Sequence, residues 1–422
     1  MTFESLGLSQ PILKAITEKG YSSPSPIQEK AIPVVLEGKD VLASAQTGTG
    51  KTAGFVLPII ELLTRVSQPS RARKIRALVL TPTRELAAQI YENAREYSKH
   101  VDFKTTVIFG GVKQRNQVIT LRQGVDLLVA TPGRLIDLES QGLLSLKHVE
   151  VLVLDEADRM LDMGFKRDID KIMNLLPKKR QSLLFSATFS KEIKQLAHNT
   201  LNQPVLVEAT PENTTVEKIN QKVYFVDKAD KPTVLINLIK AGNWKQVLVF
   251  TRTKHGANKL TEKLIKAEIT ASAIHGNKTQ NNRIKALKAF KSNDIKVLVA
   301  TDIAARGLDI PLLPHVVNFE LPNIPEDYVH RIGRTGRAGA KGEAISLVEH
   351  EEKDYLYSIQ NLIEETLDSS TIEGFEPKIN SGPTKPKAKQ QGRGGGGRPR
   401  RNSTSTSQSN SGRKPGASRR RN

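Results

Sequence analysis

The chain has 422 residues, of which 38% are hydrophobic, so we expect two or three globular domains rather than one. Cysteine is absent, which excludes disulfides, thiolate metal sites and cysteine nucleophiles and favours a reducing, cytoplasmic location. The formal net charge of +20 indicates a polyanionic partner. Because no apolar stretch approaches the roughly 18 residues that cross a bilayer, we expect nucleic acid and no membrane.

Short apolar runs alternate with helical patterns through the first half of the chain. Helical periodicity covers residues 84–99 and 166–176. The apolar runs lie at 40–43, 77–80, 126–130, 149–154 and 181–185. Each run closes on a turn or a polar cluster, as strands do. Continuous apolar strands that alternate with helices predict a parallel sheet covered on both faces.

The same pattern restarts in the second half of the chain. Its apolar runs lie at 246–250, 270–274, 296–300, 316–319 and 344–348. Two runs read almost alike, LLVATP at 127–132 and VLVATD at 297–302, which indicates a duplication. We therefore predict two doubly wound parallel-sheet α/β domains of similar design. We assign 1–30 to an N-terminal region, 31–208 to the first domain, 209–218 to a polar linker and 219–376 to the second domain.

Four predicted strands end in a threonine that is followed by a loop. These residues are Thr81, Thr131, Thr251 and Thr301. Open parallel sheets bind ligands beyond the carboxyl ends of their strands. We therefore expect the two domains to present these loops to a shared cleft.

Residues 377–422 differ from the rest of the chain in composition. They hold 13 Lys and Arg residues and no Asp or Glu, whereas the other 376 residues hold 51 basic and 44 acidic residues. Gly, Ser, Pro and Arg dominate, so the segment cannot bury enough apolar surface to fold, and we predict a disordered basic tail. Its RGGGGR sequence at 393–398 is a weak signal for RNA binding, and a solvated flexible extension is the alternative.

A glycine-rich loop, AQTGTGKT at 45–52, lies between a predicted strand and a predicted helix. Glycine there lets the backbone amides wrap phosphate groups at the helix N-terminus. Lys51 is expected to reach the β and γ phosphates and Thr52 to bind Mg²⁺, so ATP and Mg²⁺ are the predicted cofactors. The first glycine of the general pattern is replaced by alanine. The predicted nucleotide-binding residues are Ala45, Gln46, Thr47, Gly48, Thr49, Gly50, Lys51 and Thr52.

The sequence Asp-Glu-Ala-Asp at 155–158 follows an apolar run. A carboxylate at a strand end can hold Mg²⁺, which we predict for Asp155, while Glu156 polarises the attacking water. Three acids in four residues are more often a solvated turn. The phosphate loop about a hundred residues upstream favours the catalytic interpretation.

The sequence HRIGRTGR at 330–337 places three arginines within eight residues of the second domain. Arg334 and Arg337 are spaced to enter one cleft from one loop and to neutralise a transferring phosphoryl group. An arginine finger contributes a factor of about 10³ to 10⁵ in rate, or roughly 4 to 7 kcal/mol. An enzyme with the phosphate loop on one domain and these arginines on the other should hydrolyse ATP poorly when open.

From Phe3 to about residue 370, these motifs and others resemble those of the DEAD-box RNA helicases, in the family's order. Residues 20–28, with Phe3 upstream, resemble the Q motif, in which the glutamine, here Gln28, recognises adenine. Ala45 matches the family's form of the phosphate loop, and Asp309 is expected near the ribose of ATP. The resemblance implies two tandem RecA-like domains. Residues 218–231 look most like the bacterial E-type branch.

The resemblance also implies an RNA site and a set of residues that couple the ATP state to unwinding. The implied coupling residues are Asp158, Ser186, Thr188, Asp302 and His330. The implied RNA-binding residues are Pro82, Thr83, Arg84, Gly111, Thr131, Pro132, Gly133, Arg134, Arg252, Arg283, Thr301 and Arg306. Hydroxyls, glycine backbones and arginines suit phosphate and 2′-hydroxyl groups, so we expect RNA binding that is largely independent of sequence.

The leading interpretation is a monomeric RNA-stimulated ATPase that unwinds short duplexes or remodels RNA–protein complexes, acting on single-stranded or partly duplex RNA. An ATP-gated RNA clamp or RNA-annealing factor is one alternative, with the basic tail as its active element. A DNA helicase of the same broad superfamily is another. The resemblance allows RNA-decay or ribosome-assembly proteins as partners, and cold adaptation as a process, without choosing among them.

Overall fold

A computed structural model describes residues 1–44, 49–66, 73–208, 219–305, 310, 313–335 and 342–377. These residues form two seven-stranded sheets, each flanked by helices. The predicted linker, 209–218, lies outside the described residues, as do residues 378–422 of the predicted tail. Within the described ranges, no helix has the length and apolar character needed to cross a membrane.

The first sheet has the strand order β3-β4-β2-β5-β6-β1-β7, and all its pairings are parallel. Its strands are β1 Val41–Ser44, β2 Ala77–Leu80, β3 Thr105–Ile108, β4 Leu127–Ala130, β5 Val151–Leu154, β6 Gln181–Ser186 and β7 Val205–Glu208. The five strands predicted for this half are confirmed with small shifts at their ends. The two edge strands, β3 and β7, were not predicted.

Helices cover both faces of the first sheet. They are α1 Gln10–Glu18, α2 Pro26–Leu36, α3 Lys51–Thr64, α4 Arg84–Tyr97, α5 Gln114–Arg122, α6 Pro132–Ser140, α7 Ala157–Asp162, α8 Lys166–Leu175 and α9 Lys191–Thr200. Alternate side chains of each strand enter opposite cores. In β2, Val79 packs in the core with α1 to α4, whereas Leu78 and Leu80 pack in the core with α6 to α9. Burial on both faces explains why these strands read as continuous apolar runs.

The second sheet repeats the first, with the order β10-β11-β9-β12-β13-β8-β14 and parallel pairings throughout. Its strands are β8 Ile219–Phe225, β9 Val247–Phe250, β10 Ala271–Ile274, β11 Val297–Ala300, β12 His315–Asn318, β13 Gly342–Val348 and β14 Asp368–Thr371. Its helices are α10 Lys231–Ala241, α11 Lys254–Lys266, α12 Gln280–Lys291, α13 Asp302–Ala305, α14 Pro325–Ile332 and α15 Lys353–Ile363. The prediction of two doubly wound domains of similar design is therefore confirmed.

A buried ion pair fixes the carboxyl end of the second sheet. Lys231 Nζ, at the start of α10, lies 2.5 Å from Glu352 Oε2, and both side chains are 1% exposed. The Glu352 carboxylate also accepts hydrogen bonds from the backbone N–H of Leu321 and of Glu349, at 3.0 and 3.2 Å. One carboxylate thus joins α10, the segment after β12 and the segment that precedes α15.

Replacing Glu352 with alanine leaves the Lys231 ammonium buried and unpaired, which typically costs about 3–5 kcal/mol. We therefore expect Glu352→Ala to lower the free energy of unfolding of the second domain by that amount. The single tryptophan, Trp244, is buried in this domain, so its fluorescence during urea unfolding measures the change. The exposed neighbour Glu351→Ala is the control and should stay within about 0.5 kcal/mol of the unchanged chain. Equal stabilities of the two variants would contradict the assigned role of the pair.

Candidate active site

The first helix after the phosphate loop begins at Lys51, directly after Gly50 in the left-handed region with φ 89°. A Cβ at Gly50 would lie 2.4 Å from Gln28 Nε2, so the close approach of these segments requires glycine. The Lys51 Nζ is buried and donates no hydrogen bond to any described residue. Its nearest ion-pair partner is Asp155 Oδ1, at 4.0 Å. A buried ammonium without a hydrogen-bond acceptor fits a site built for an anion such as phosphate.

Asp155 and Glu156 follow the last residue of β5, and both are buried. Burial, with the neighbouring charge of Glu156, raises the pKa of Asp155 to about 6, although Lys51 acts against this shift. Burial alone would raise the pKa of Glu156, but the charges of Arg159, Lys51 and Arg334 lower it to about 2. Glu156 is therefore a carboxylate at neutral pH.

Glu156 is held in an unusual backbone conformation by its surroundings. Its φ is 54°, in the left-handed region that costs a non-glycine residue of the order of 1 kcal/mol or more. Its Oε2 accepts a hydrogen bond of 2.6 Å from Arg159 Nη1, one turn along α7. The strained turn and this ion pair aim the carboxylate from the end of the strand into the cleft.

A cavity of about 200 Å³ adjoins these groups. Gly50, Lys51, Thr52, Asp155 and Glu156 line one part of it. Among the described residues, no group of three or more His, Asp or Glu side chains is arranged to hold a metal ion. A Mg²⁺ bound by Thr52 and Asp155 would therefore take its other ligands from phosphate and water, as Mg²⁺ commonly does. The donor set fits a Mg²⁺–nucleotide complex.

The predicted adenine ligand, Gln28, is already hydrogen-bonded within the protein. Its Oε1 accepts from the Ser25 N–H at 2.9 Å, and its Nε2 donates to the Gly50 carbonyl oxygen at 3.0 Å. A carboxamide has two donors and two acceptor lone pairs, so one of each remains for a base. Phe3 is buried and stacks on Tyr21, with ring centroids 6.4 Å apart.

An arginine of the second domain, Arg334, lies close to the carboxylate of Glu156 in the first domain. Arg334 is 4% exposed and contributes to the lowered pKa of Glu156. Arg334 and His330 line one small cavity together with Arg159 of the first domain. Burial and the charge of Arg159 lower the pKa of His330, so it is neutral at pH 7. The structure thus brings Lys51, Glu156 and Arg334 together.

The two domains are also joined directly beside this cluster. Glu85, in the first turn of α4, accepts a hydrogen bond of 2.7 Å from Gln280 Nε2 and forms an ion pair of 3.0 Å with Arg283 Nη2. Both partners lie in the first turn of α12, in the second domain. This contact holds the carboxyl ends of the two sheets against each other, so the cleft between the two domains is closed.

The residues with implied RNA contacts lie at the carboxyl ends of strands or at the helix starts that follow. The guanidinium of Arg84 lies over Gly111, where a Cβ would come within 1.9 Å of Arg84 Nη1 and where φ is 78°. Thr83 and Thr131 are the N-cap residues of α4 and α6, and Pro132 and Gly133 follow in the first turn of α6. Pro82, directly before Thr83, and Thr301, directly after β11, are buried.

The four described arginines with implied RNA contacts are engaged by protein groups, and Arg84 Nη1 donates to Gln280 Oε1 at 3.5 Å. Arg134 donates to Gln117 Oε1 at 3.1 Å and to the carbonyl oxygen of Val112 at 3.3 Å. Arg252 pairs with Glu352 at 3.3 Å, and Arg283 pairs with Glu85. Each guanidinium has five N–H donors, so some of them remain for RNA. RNA binding by these side chains stays a prediction.

Two of the predicted coupling residues, Asp158 and Asp302, accept hydrogen bonds within their own domains. Asp158 Oδ2 accepts hydrogen bonds from the N–H groups of Ala187 and Thr188, at 2.9 and 3.1 Å, directly after Ser186 at the end of β6. In the second domain, Asp302 accepts two bonds from Arg331, at 2.6 and 2.8 Å.

Four residues at the site were given no individual role from the sequence, although all except Arg159 lie in segments that resemble family motifs: Glu85, Arg159, Gln280 and Arg331. Arg159 could have been found, because an arginine three residues after Glu156 on a helix is in reach of its carboxylate. The partners of Glu85 lie 195 residues or more away in sequence, so no local pattern predicts that contact. Ala45, Gln46, Thr47, Gly48, Arg306, Asp309 and Arg337 lie outside the described residues.

Comparison with known proteins gives consistent matches along the chain. Residues 25–196 match the DEAD/DEAH box helicase family, and residues 230–339 match the helicase conserved C-terminal domain. The DEAD-box ATP-dependent RNA helicase RhpA of Helicobacter pylori is 45% identical over 380 residues, 90% of this chain and 75% of RhpA. The ATP-dependent RNA helicase CshA of Limosilactobacillus reuteri is 44% identical over 86% of this chain and 72% of CshA. The structure of S. cerevisiae Dbp5 bound to RNA and ADP BeF3 has a TM-score of 0.78 at 34% identity, covering 88% of this chain and 95% of Dbp5.

The contact of Glu85 with Arg283 is expected to stabilise the closed state of the cleft. Removing one partner of a buried charge pair costs about 2 kcal/mol or more, so Glu85→Ala should lower the equilibrium constant for closure at least about tenfold. Because the chain has no cysteine, one cysteine placed in each domain, at Lys178 and Lys263, allows clean labelling for energy transfer between dyes. Closure is followed with a non-hydrolysable ATP analogue and RNA. Glu92→Ala, exposed on the same helix, is the control, and closure of Glu85→Ala equal to that control would exclude the contact as a closing element.

Proposed function

Because the chain belongs to the DEAD/DEAH box helicase family, we propose that it is an ATP-dependent RNA helicase whose RNA-stimulated ATP hydrolysis drives local unwinding of short RNA duplexes or remodelling of RNA–protein complexes. The single observation that carries this proposal is the meeting of Lys51 and Glu156 with Arg334 across the cleft. The relatives RhpA and CshA are named as ATP-dependent RNA helicases, which supports the same activity for this chain.

The nucleotide is bound mainly by the first domain in this proposal. Gln28 and Phe3 hold the base, the segment 45–52 wraps the phosphates, and Lys51 supplies a buried positive charge beside the β and γ phosphates. Thr52 and Asp155 hold the Mg²⁺. The predicted contact of Asp309 with the ribose adds a ligand from the second domain. When bound, ATP and Mg²⁺ supply a phosphoanhydride bond with part of its charge already neutralised.

Hydrolysis needs a water oriented by a carboxylate and a positive charge opposite it. Glu156 is suited to orient the water, since its low pKa keeps it an acceptor at neutral pH. Arg334, with Arg337 proposed beside it, neutralises the charge that develops on the transferring group. Because these arginines come from the second domain, closure of the cleft controls the rate.

RNA binding is the event that makes closure favourable in this scheme. Arg84, Gly111 and the N-terminus of α6 form the first-domain part of the proposed RNA site, and Thr301 and Arg306 belong to the second-domain part. Groups of this kind contact phosphate and 2′-hydroxyl groups rather than base edges. A strand that bridges both domains holds them together, so RNA and ATP favour the same closed state.

Coupling and unwinding follow from the shared closed state. Asp158 links the turn after Glu156 to residues 187 and 188, so a change at the nucleotide is transmitted to the end of β6. Bending one strand to fit the cleft separates a few base pairs, each step costing about 1.4 kcal/mol if RNA resembles DNA. We propose a monomer that acts in the cytoplasm on single-stranded or partly duplex RNA, within assemblies such as those of RNA decay or ribosome assembly.

Glu156→Gln should abolish measurable RNA-stimulated turnover, because loss of a positioned general base typically costs about 10² to 10⁴ in rate. The dissociation constants for ATP and for RNA should stay within about twofold, since the amide keeps the shape of the side chain. Steady-state ATPase assays and fluorescence titrations measure both quantities. Glu92→Gln, on an exposed surface, is the control. Retained ATPase activity in Glu156→Gln would remove this residue from its catalytic role.

Deleting residues 377–422 removes 13 positive charges, so RNA affinity should fall and its dependence on salt should become less steep. A tail of the same length with every Lys and Arg replaced by Gln separates the effect of charge from that of length. RNA affinity is measured over a series of salt concentrations. An unchanged dependence of affinity on salt would indicate that the tail acts only as a spacer. Loss of RNA annealing with ATPase activity kept would favour the annealing factor over the helicase.

A further inference from the structure

The edge strand β10 is the outermost strand of the second sheet. Among the strands that the described residues form, it pairs only with β11, so its other side has no partner strand from this part of the chain. The carbonyl oxygens of Thr270 and Ile274 accept hydrogen bonds from the β11 side. Because backbone groups alternate along a strand, the N–H and C=O groups of Ala271 and Ala273 point away from the sheet. Such an edge is a template for an added strand.

A groove of about 400 Å³ runs along this edge, between β10 and α12. Its lining includes Ala271, Ser272 and Ala273 of β10 and Asn282, Ala286 and Ala289 of α12. Ser272 lies on the face of β10 that is turned toward α12, whereas Ala273 packs on the opposite face against α11. Small side chains on β10 and alanines on α12 leave the groove open beside the unpaired backbone.

The charges that line the groove are all positive. Lys278 and Lys285 lie on the α12 side, and neither forms a hydrogen bond or an ion pair with another side chain in the ranges that the structure covers. None of the described residues that line the groove is acidic. Lys285 and Asn282 are exposed and Lys278 is half-buried, so their polar ends are accessible to a ligand.

We propose that this groove, formed by β10 and α12, binds an extended acidic segment of a partner protein as an eighth strand of the sheet. Side chains of a strand alternate between its two faces, so carboxylates at every second position all face Lys278 and Lys285. Backbone pairing at Ala271 and Ala273 holds the segment, and the charge pairs select it. The inference does not depend on the function proposed above.

A peptide fits these features better than RNA does. Single-stranded RNA without base readout is held by a basic groove that follows several nucleotides of its backbone. Among the described residues that line this groove, only two carry a positive charge. The unpaired backbone N–H and C=O groups of Ala271 and Ala273 can form hydrogen bonds with the backbone of another peptide.

The same position in the first sheet shows what is particular to β10. The edge strand β3 has Thr105 and Val107 where β10 has Ala271 and Ala273, as the registers with β4 and β11 show. The bulkier β-branched residues thus stand at the first edge and the smallest side chains other than glycine at the second. The open groove is therefore not a necessary product of the fold.

The test uses the full chain and a fluorescent octapeptide of alternating Glu and Thr with blocked ends. Anisotropy at roughly 0.15 M salt, where charges farther than about 8 Å are largely screened, gives its affinity. Lys285→Glu should weaken binding at least about fivefold, equivalent to ~1 kcal/mol. Lys288→Glu makes the same charge change on α12 outside the groove and should stay within about twofold. RNA-stimulated ATPase activity should be the same in both variants.

Two further measurements distinguish strand addition from simple charge attraction. Methylation of every peptide nitrogen should abolish binding, and peptide binding should protect the amides of Ala271 and Ala273 from hydrogen exchange followed by NMR. Equal binding of the methylated peptide, equal effects of the two lysine variants, or no peptide binding at all would each overturn the proposal. Weaker binding of a U-rich RNA by Lys285→Glu, with no peptide binding, would assign the groove to RNA.

Discussion

The arrangement of the molecule depends on a set of charges buried in one place. Lys51, Arg159 and Arg334 face the carboxylates of Asp155 and Glu156, and all five side chains are at most 6% exposed. Buried charges are tolerated only when they are paired. The Lys51 ammonium donates no hydrogen bond to a described residue, and burial raises the pKa of Asp155. A polyphosphate would supply the acceptor that Lys51 needs, and a bound Mg²⁺ would stabilise the charged form of Asp155.

The fold places these charges where two domains can share them. Each sheet directs its loops to its carboxyl end, and the contact of Glu85 with α12 turns those ends toward each other. One domain therefore carries the lysine and the acids, while the other carries the arginine. In the proposed mechanism, a site divided in this way works only when the cleft is closed, and a ligand that bridges the domains controls the rate of hydrolysis. The buried pair of Lys231 and Glu352 keeps the second domain's loops in position for that closure.

Sequence reasoning was most successful where burial and chemistry are local. The central strands are apolar on both faces, so their runs could be read directly, and the strand–loop–helix context of Lys51 predicts a phosphate site. Four strands were missed: the edge strands β3, β7 and β14, and β8. In β14, Asp368–Thr371, every residue is exposed, and in β8, Ile219–Phe225, buried residues alternate with exposed or partly buried ones. The pairing of Glu85 with Arg283 joins distant parts of the chain, and no pattern within either segment predicts it. The roles of the individual site residues are still predictions that rest on the motifs and on this geometry.

We infer that Arg334 acts on a nucleotide held by the other domain. The most direct measurement compares RNA-stimulated turnover of Arg334→Ala with its affinity for ATP in the absence of RNA. We predict a loss in turnover of about 10³ to 10⁵, with that affinity within about twofold and unfolding of the second domain, followed by Trp244 fluorescence, unchanged. Turnover within tenfold of the unaltered chain, or an equal loss of ATP affinity without RNA, would contradict the claim.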